Sequence, residues 1–239
     1  MRIMNRDEKL AKKWLESMGF QSVIYEPDGN VPPDFLVDNR IAVEVRRLNQ
    51  NSVNKNGNTK GLEEDSIPLT QKIQNLLQSY GPPVNAKSWF ICINFERPLP
   101  TWKILKPEIE NLVESLKISQ QSKTIRNHKL LKSFEIDILP TPTSHTHMFM
   151  IGASADGDSG GWVLGELEKN LRLILPEKYK KIEKFKSKYK EWWLVLPNYI
   201  CYEMNEDDVK QFNTYIKFQH DWDKVVMFNP QDISNWMDF

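Results

Sequence analysis

Three features that would assign a chain to a class of proteins are missing here: an excess of one charge, a long apolar run and a set of cysteines. Lys plus Arg and Asp plus Glu both number 32, which gives a formal net charge of zero. The chain as a whole therefore has no field that attracts a polyanion, and a nucleic-acid site has to come from local clustering of basic residues. No apolar run approaches the roughly 20 residues of a membrane-spanning helix, so we expect no membrane partner.

Cysteine is scarce as well, with two in 239 residues. Cys92 and Cys201 each lie in a short apolar stretch. This usage disfavours a disulfide-stabilised secreted fold and favours buried thiols in a reducing compartment. We therefore expect a cytoplasmic protein.

The hydrophobic residues that are present change between helical and strand periodicity along the chain, which predicts a mixed α/β fold. Residues 7–18 have the pattern of an amphipathic helix, and strand patterns follow at 21–25, 34–37 and 41–47. We find no internal repeat and no convincing linker. The expected organisation is a single elaborated α/β domain over residues 1–239.

The string GDSGG at residues 157–161 matches the surroundings of the nucleophilic serine in trypsin-like proteases. That chemistry needs a histidine base and an aspartate that two β-barrels bring to the serine, and no all-β half precedes the string. Its five residues are also types that turns favour. We interpret it as a strand-to-helix loop in which Asp158 or Ser159 caps the next helix, and we do not expect Ser159 to be a nucleophile.

The stretch PPDFLVDNRIAVEVRRL, residues 32–48, predicts a β-hairpin with a defined register. Pairing Val37 with Ile41 and Phe35 with Val43 places all four apolar side chains on one face of the hairpin. We therefore expect this face to be buried and the other face to be polar.

The same register places Asp34 opposite Glu44 on the polar face, with Arg46 two residues further along. Directly opposed residues have Cβ atoms roughly 5 Å apart, and like charges at that distance destabilise a sheet. A divalent cation compensates such a pair, and hard oxygen ligands suit Mg²⁺ or Mn²⁺. The pattern therefore indicates either a metal site or an uncompensated pair of charges.

These residues resemble the signature of the PD-(D/E)xK nuclease superfamily, which has the restriction-endonuclease-like fold. Pro33-Asp34 is similar to its PD, and Glu44-Val45-Arg46 is similar to its (D/E)xK. A helix predicted at 67–80 and a buried strand at 88–95 would complete the α-β-β-β-α-β core of that fold over residues 7 to about 95. The resemblance implies a mixed central sheet flanked by helices, with the remaining residues as C-terminal elaborations or later core strands.

The resemblance also implies hydrolysis of phosphodiester bonds, in DNA, with Mg²⁺ or Mn²⁺ as the cofactor. Asp34, Glu44 and the main-chain carbonyl of Val45 would hold the metal, and a first-helix glutamate, Glu8, would reach the same site. Glu8 also lies three residues after Asn5, the spacing of a capping box, which explains it without chemistry. The sequence leaves open whether the protein forms a homodimer.

One position departs from the signature, because Arg46 stands where the superfamily usually has lysine. An arginine stabilises developing negative charge but does not release its proton to act as a base. Lys72, on the predicted helix after the hairpin, is an alternative source of an ammonium group. The alternative to a nuclease is a catalytically inactive protein of the same fold that binds nucleic acid or another protein. A third alternative is a protein partner that contacts no nucleic acid.

Two further segments have open roles. The polar loop 49–61 adjoins the expected site, where it would either contact substrate or stay disordered. The run 177–191 contains seven lysines against three glutamates, and its lysines form either a solvated face or a nucleic-acid contact. Its apolar residues are spaced as one buried helical stripe. They are Tyr179, Ile182, Phe185 and Tyr189.

Overall fold

The structure is a computed structural model, and it describes residues 3–53, 57, 59–119 and 122–239. In chain order its elements are α1 (Arg6–Ser17), β1 (Val23–Tyr25), β2 (Phe35–Val37), β3 (Ile41–Val45), β4 (Asn51–Val53), β5 (Thr59–Gly61), α2 (Glu63–Gln78), β6 (Trp89–Phe95), α3 (Trp102–Ser119), β7 (Ile125–Leu131), β8 (Phe134–Pro140), β9 (Phe149–Asp156), α4 (Val163–Ile182), β10 (Glu191–Pro197), α5 (Glu206–Tyr215), β11 (Lys224–Phe228) and β12 (Trp236–Asp238). A 3₁₀ segment, Glu183–Lys188, follows α4 directly. The predicted mixed α/β class is confirmed.

The chain divides into two compact units, where the sequence led us to expect one elaborated domain. The terminal unit contains Met1–Lys60 and Gly161–Phe239, and the inserted unit contains Gly61–Gly160. The second boundary falls inside the GDSGG string, whose glycines Gly160 and Gly161 have φ angles of 96° and 114°. Glycine adopts this left-handed backbone without a steric penalty, so the string is suited to a chain reversal.

The terminal unit is built on one six-stranded mixed sheet with the order β1-β2-β3-β10-β11-β12. The first three strands are antiparallel neighbours. Strands β3, β10 and β11 are parallel, and β12 closes the edge antiparallel to β11. Parallel neighbours place their carboxyl ends at the same edge of a sheet, so the chain leaves β3 beside the end of β10.

The predicted hairpin register is confirmed: Phe35 pairs with Val43, and Val37 pairs with Ile41. All four side chains are buried in one cluster with residues of α1. The other face of the hairpin, which we expected to be polar, is also covered. Ala42 belongs to a second buried cluster together with apolar residues of α4 and β10. Strands that run parallel to a neighbour are commonly buried on both faces, which explains the difference.

We predicted that a helix at 67–80 and a strand at 88–95 accompany the hairpin. Both elements form, but the strand belongs to a different sheet from the hairpin. Strand β6 lies in the four-stranded sheet β7-β8-β6-β9 of the inserted unit, and the parallel neighbour of β3 is β10. The expected core over residues 7 to about 95 is therefore wrong in its second half. An apolar run predicts a buried strand, but it contains no information on which sheet the strand joins.

The inserted unit has its own core. Alternate residues of β6 and β8 are buried on one side of the four-stranded sheet against apolar residues of α2 and α3. Among the described residues, no helix has the length and apolar character that a membrane crossing requires.

Candidate active site

Glu44 lies near the carboxyl end of β3, on the face of the sheet that α4 covers. Its Oε2 accepts a hydrogen bond from Nζ of Lys178 at 2.8 Å. The two side chains are 5% and 13% exposed, respectively. A buried carboxylate is stable only if it is paired and hydrogen-bonded, and Lys178 meets that requirement here.

Asp34 directly precedes β2 and is half-buried. Its Oδ2 accepts a hydrogen bond from the main-chain N–H of Val45 at 2.8 Å. The carboxylate of Asp34 therefore lies beside the backbone that directly follows Glu44. This agrees with the confirmed hairpin register, in which Asp34 lies one step beyond the pair of Phe35 and Val43.

Arg46 is half-buried just after β3, and its main-chain N–H donates to the carbonyl of Val195 in β10 at 3.1 Å. Its side-chain Nε is buried and has no hydrogen-bond partner among the described residues. The guanidinium also acts electrostatically on Glu177 of α4. Burial alone would raise the pKa of Glu177, but the hydrogen bond from Lys181 and the charges of Lys181, Arg46 and Lys178 together lower it.

Within the part of the chain that the structure describes, three cationic and three anionic side chains contribute to this site. We call this set the charge cluster, and it consists of Asp34, Glu44, Glu177, Arg46, Lys178 and Lys181. All of its members belong to the terminal unit, and they come from the hairpin and from the second half of α4.

Glu8 is buried, at 3% exposure, and its carboxylate takes part in the capping box of α1. Its Oε2 accepts from the main-chain N–H of Asn5 at 2.7 Å and from the hydroxyl of Tyr25 at 3.1 Å. These contacts account for its burial without a metal. The sequence left Glu8 with two roles, and the structural role is the one for which contacts are present.

The donor atoms of this site match a hard divalent cation in type. Asp34, Glu44 and the carbonyl of Val45 offer oxygen ligands, and Mg²⁺ keeps several waters while it binds one or two carboxylates. Within the described ranges, no group of three or more His, Cys, Asp or Glu side chains is placed to hold a metal. A cation here would have only the two carboxylates and the Val45 carbonyl as protein ligands and would have to keep water ligands, and Lys178 contacts one of these carboxylates, that of Glu44.

Comparisons with protein-family models, with curated proteins and with solved structures find no match. The resemblance to PD-(D/E)xK nucleases therefore rests on the residues of this chain.

Lys178 is the site residue that sequence reasoning missed. We expected an alternative ammonium from Lys72, which is exposed on α2 of the inserted unit. Lys178 lies in the lysine-rich run 177–191. In that run the sequence assigned only the apolar residues to a buried face and left the orientation of the lysines open. The burial of the stripe is confirmed, because Ile182 is fully buried and the three aromatic residues pack against the same cluster. Its helical form is not, because α4 ends at Ile182 and Phe185 lies in the 3₁₀ segment. A lysine next to this stripe was therefore a signal for a half-buried ammonium.

Several other lysines of this run have local partners. Lys181 donates to Glu177 at 2.9 Å, and Lys186 donates to the hydroxyl of Tyr179 at 2.8 Å. Lys188 pairs with Asp28, which also accepts a hydrogen bond from the hydroxyl of Tyr189 at 2.8 Å. Asp28 lies in the loop between β1 and β2, so these two residues fix the segment that leads to Asp34.

Loop 49–61 contains the paired strands β4 and β5, and residues 54–56 and 58 lie outside the described part of the chain. At its start Asn51 is buried, and its main-chain N–H donates to Oδ1 of Asn170 in α4 at 2.8 Å. This end of the loop is therefore attached to the helix that carries Lys178. Its contact with substrate stays a prediction.

The GDSGG string forms a turn. The hydroxyl of Ser159 donates to the main-chain carbonyl of Asp156 at 2.8 Å, and Asp158 pairs with Arg97 at 3.0 Å. The predicted cap is wrong, because the residue before α4 is Trp162 and no side chain caps the helix. The two φ-positive glycines separate Ser159 from the helix start and leave it too far away to cap.

Proposed function

We propose that this chain is a Mg²⁺- or Mn²⁺-dependent nuclease that hydrolyses phosphodiester bonds, in DNA, with its active site in the terminal unit. The observation that carries the proposal is the contact between Lys178 and Glu44 at the end of β3, next to the carboxylate of Asp34. Two acidic oxygen donors and an ammonium in one half-buried place are the groups that metal-assisted phosphodiester hydrolysis uses.

The order of elements supports the same proposal. In the terminal unit, α1, β1, β2, β3, α4 and β10 occur in the order α-β-β-β-α-β, with the strand pair β4–β5 and the inserted unit between β3 and α4. Strands β3 and β10 are parallel and adjacent. The restriction-endonuclease-like core that the sequence suggested is thus proposed for these elements instead of residues 7 to about 95.

Each side chain of the site has a role in this proposal. Asp34, Glu44 and the main-chain carbonyl of Val45 would hold the divalent cation, which supplies Lewis acidity at the phosphate and lowers the pKa of a bound water. The half-buried guanidinium of Arg46 would donate to a phosphate oxygen, and Lys178 would stabilise negative charge on the substrate.

Cleavage assays on supercoiled plasmid, single-stranded DNA and RNA in Mn²⁺ test the proposal. Asp34→Asn and Glu44→Gln should each lower cleavage of the preferred substrate at least about a hundredfold, a typical cost of removing a charged group from a site of this kind. Glu16→Gln is the control, because Glu16 is exposed on α1. Unchanged cleavage by both Asp34→Asn and Glu44→Gln would contradict the proposed site.

One observation favours a second candidate, a catalytically inactive protein of the same fold that binds nucleic acid or a protein. Arg46 occupies the position of the usual lysine. Such a protein should shift labelled DNA in a gel equally with EDTA and with Mn²⁺, and it should cleave none of the three substrates.

A further inference from the structure

We propose that Lys178 and a divalent cation compete for Glu44, so that the ion pair keeps the metal site closed until the cation displaces the ammonium. This inference rests on the proposed function, because it concerns the metal site named there. It assigns Lys178 a second role, which is the control of metal entry.

Lys178 and Glu44 form a buried ion pair. The ammonium of Lys178 lies 2.8 Å from Oε2 of Glu44, and the carboxylate side chain is 5% exposed. Removing one partner of a buried ion pair leaves an uncompensated charge, which is strongly destabilising. Without a metal, Glu44 therefore depends on Lys178 as its counter-ion.

The side chains around Glu44 include both signs of charge. The charge cluster holds three carboxylates and three cationic side chains, so the carboxylates of Glu44 and Glu177 have cationic neighbours before any metal enters. A divalent cation on Glu44 would share one carboxylate with an ammonium, and two cations at such short range repel each other. Metal binding therefore favours release of Lys178 from Glu44.

The displaced ammonium of Lys178 has a place to go. Its side chain is 13% exposed, and lysine is a flexible side chain with rotatable donors. Glu177 of the same helix, whose carboxylate accepts a hydrogen bond from Lys181 at 2.9 Å, is an anionic side chain in the same cluster. The released ammonium then lies beside the site as a donor for an anionic substrate.

Calorimetric titration with Mn²⁺ alone tests the competition. Lys178→Met should bind Mn²⁺ at least about tenfold more tightly than wild type, because a hydrogen bond to a charged group contributes at least about the 1.4 kcal/mol that tenfold represents. Lys178→Arg keeps a cation on Glu44 and should bind Mn²⁺ like wild type. Glu44→Gln should bind no Mn²⁺ at this site.

Lys180→Met is the matched control, because it removes the same charge from an exposed position of the same helix. Residues two apart lie on nearly opposite sides of a helix, so its Mn²⁺ affinity should stay at the wild-type value. If Lys178→Met folds only in the presence of Mn²⁺, that dependence is the same result measured as stability. Failure of Mn²⁺ to restore its folding counts against the competition.

The outcomes separate this inference from the proposed function. Equal or weaker Mn²⁺ affinity of Lys178→Met overturns the competition, even if wild type cleaves DNA. Tighter binding by Lys178→Met supports the competition, even if every variant is inert toward nucleic acids. Absence of Mn²⁺ binding in wild type and in Lys178→Met overturns the competition and the metal site together.

Discussion

At the scale of single residues, Arg46 has one donor, Nε, buried without a partner in the part of the chain that the structure describes. A buried donor that makes no hydrogen bond costs roughly 1–3 kcal/mol. Arg46 as a whole is half-buried, so under the proposed function its guanidinium, and not the buried Nε itself, would meet a phosphate oxygen, an acceptor that matches its charge.

Arg46→Ala should lower cleavage about a hundredfold, or about 3 kcal/mol of transition-state stabilisation. The fold should be retained, because the residue is only half-buried. Arg46→Lys restores a cation and should retain or raise the rate. The measurements are kcat/KM on plasmid DNA and circular dichroism as a check of folding.

The same pair of variants distinguishes the two candidate functions. Cleavage by Arg46→Lys with an inert wild type would support an inactive protein whose metal site survives. If wild type cleaves and neither change alters its rate, Arg46 has no part in the chemistry.

Tyr189 is a second residue with a measurable consequence. Burial, followed by the hydrogen bond to Asp28 and the charge of Asp28, raises the pKa of Tyr189 to about 12. A group whose pKa is higher in the folded state holds its proton more tightly there, so it stabilises the fold fully below the pKa of the unfolded chain. The ordinary tyrosine pKa is about 10, and the contribution is therefore lost between about pH 10 and pH 12.

Tyr189→Phe should lower the free energy of unfolding by about 1.5–3 kcal/mol at pH 8, the size of a hydrogen bond to a charged acceptor. The difference from wild type should shrink as the pH rises from about 10 to 12. Urea unfolding of both proteins at several pH values measures this difference. A difference that stays constant up to pH 12 would contradict the assignment.

At the scale of elements, the hairpin was predictable and its neighbour was not. The spacing of Phe35, Val37, Ile41 and Val43 fixes the register of the hairpin, because a shift by one residue would turn every side chain over. It did not predict that the other face is buried as well. The parallel pairing of β3 with β10 joins segments separated by the whole inserted unit, and no local pattern encodes it. The candidate site divides in the same way: Asp34 and Glu44 follow from the hairpin, whereas Lys178 requires knowing where α4 lies.

In helix α1, Glu8 can be interpreted as a capping residue or as a residue of the metal site. Asn5 accepts from the main-chain N–H groups of Asp7 and Glu8, and Glu8 accepts from that of Asn5. Asn5→Ala should therefore lower the free energy of unfolding by about 1 kcal/mol. Glu8→Gln keeps an acceptor for Asn5, so it should leave Mn²⁺ affinity unchanged if Glu8 only caps the helix. Chemical unfolding measures the loss of stability in Asn5→Ala, and calorimetry measures the Mn²⁺ affinity of Glu8→Gln. A large loss of Mn²⁺ affinity in Glu8→Gln would mean that Glu8 contributes to the metal site.

At the scale of the whole molecule, the two units have separate cores. The buried cluster of the inserted unit contains residues between Leu69 and Phe149, and both clusters of the terminal unit contain residues from outside that range. The sequence did not predict this division, because an inserted unit of α/β class has the same composition and periodicities as its host. The boundaries fall at the end of the polar loop 49–61 and inside the GDSGG string, and such segments predict loops without showing that a loop separates two units.

A fragment of residues 61–160 should therefore fold by itself. It has a sheet, two helices on one face of that sheet and a core of its own, and its length is typical of an independent domain. Calorimetry should show one cooperative transition with an enthalpy of about 60–80 kcal/mol, as expected for a domain of this size. Ile91→Ala in the fragment should lower its stability by about 2–5 kcal/mol, since Ile91 is fully buried in that core. A fragment without a cooperative transition would mean that the inserted unit depends on the rest of the chain for its stability.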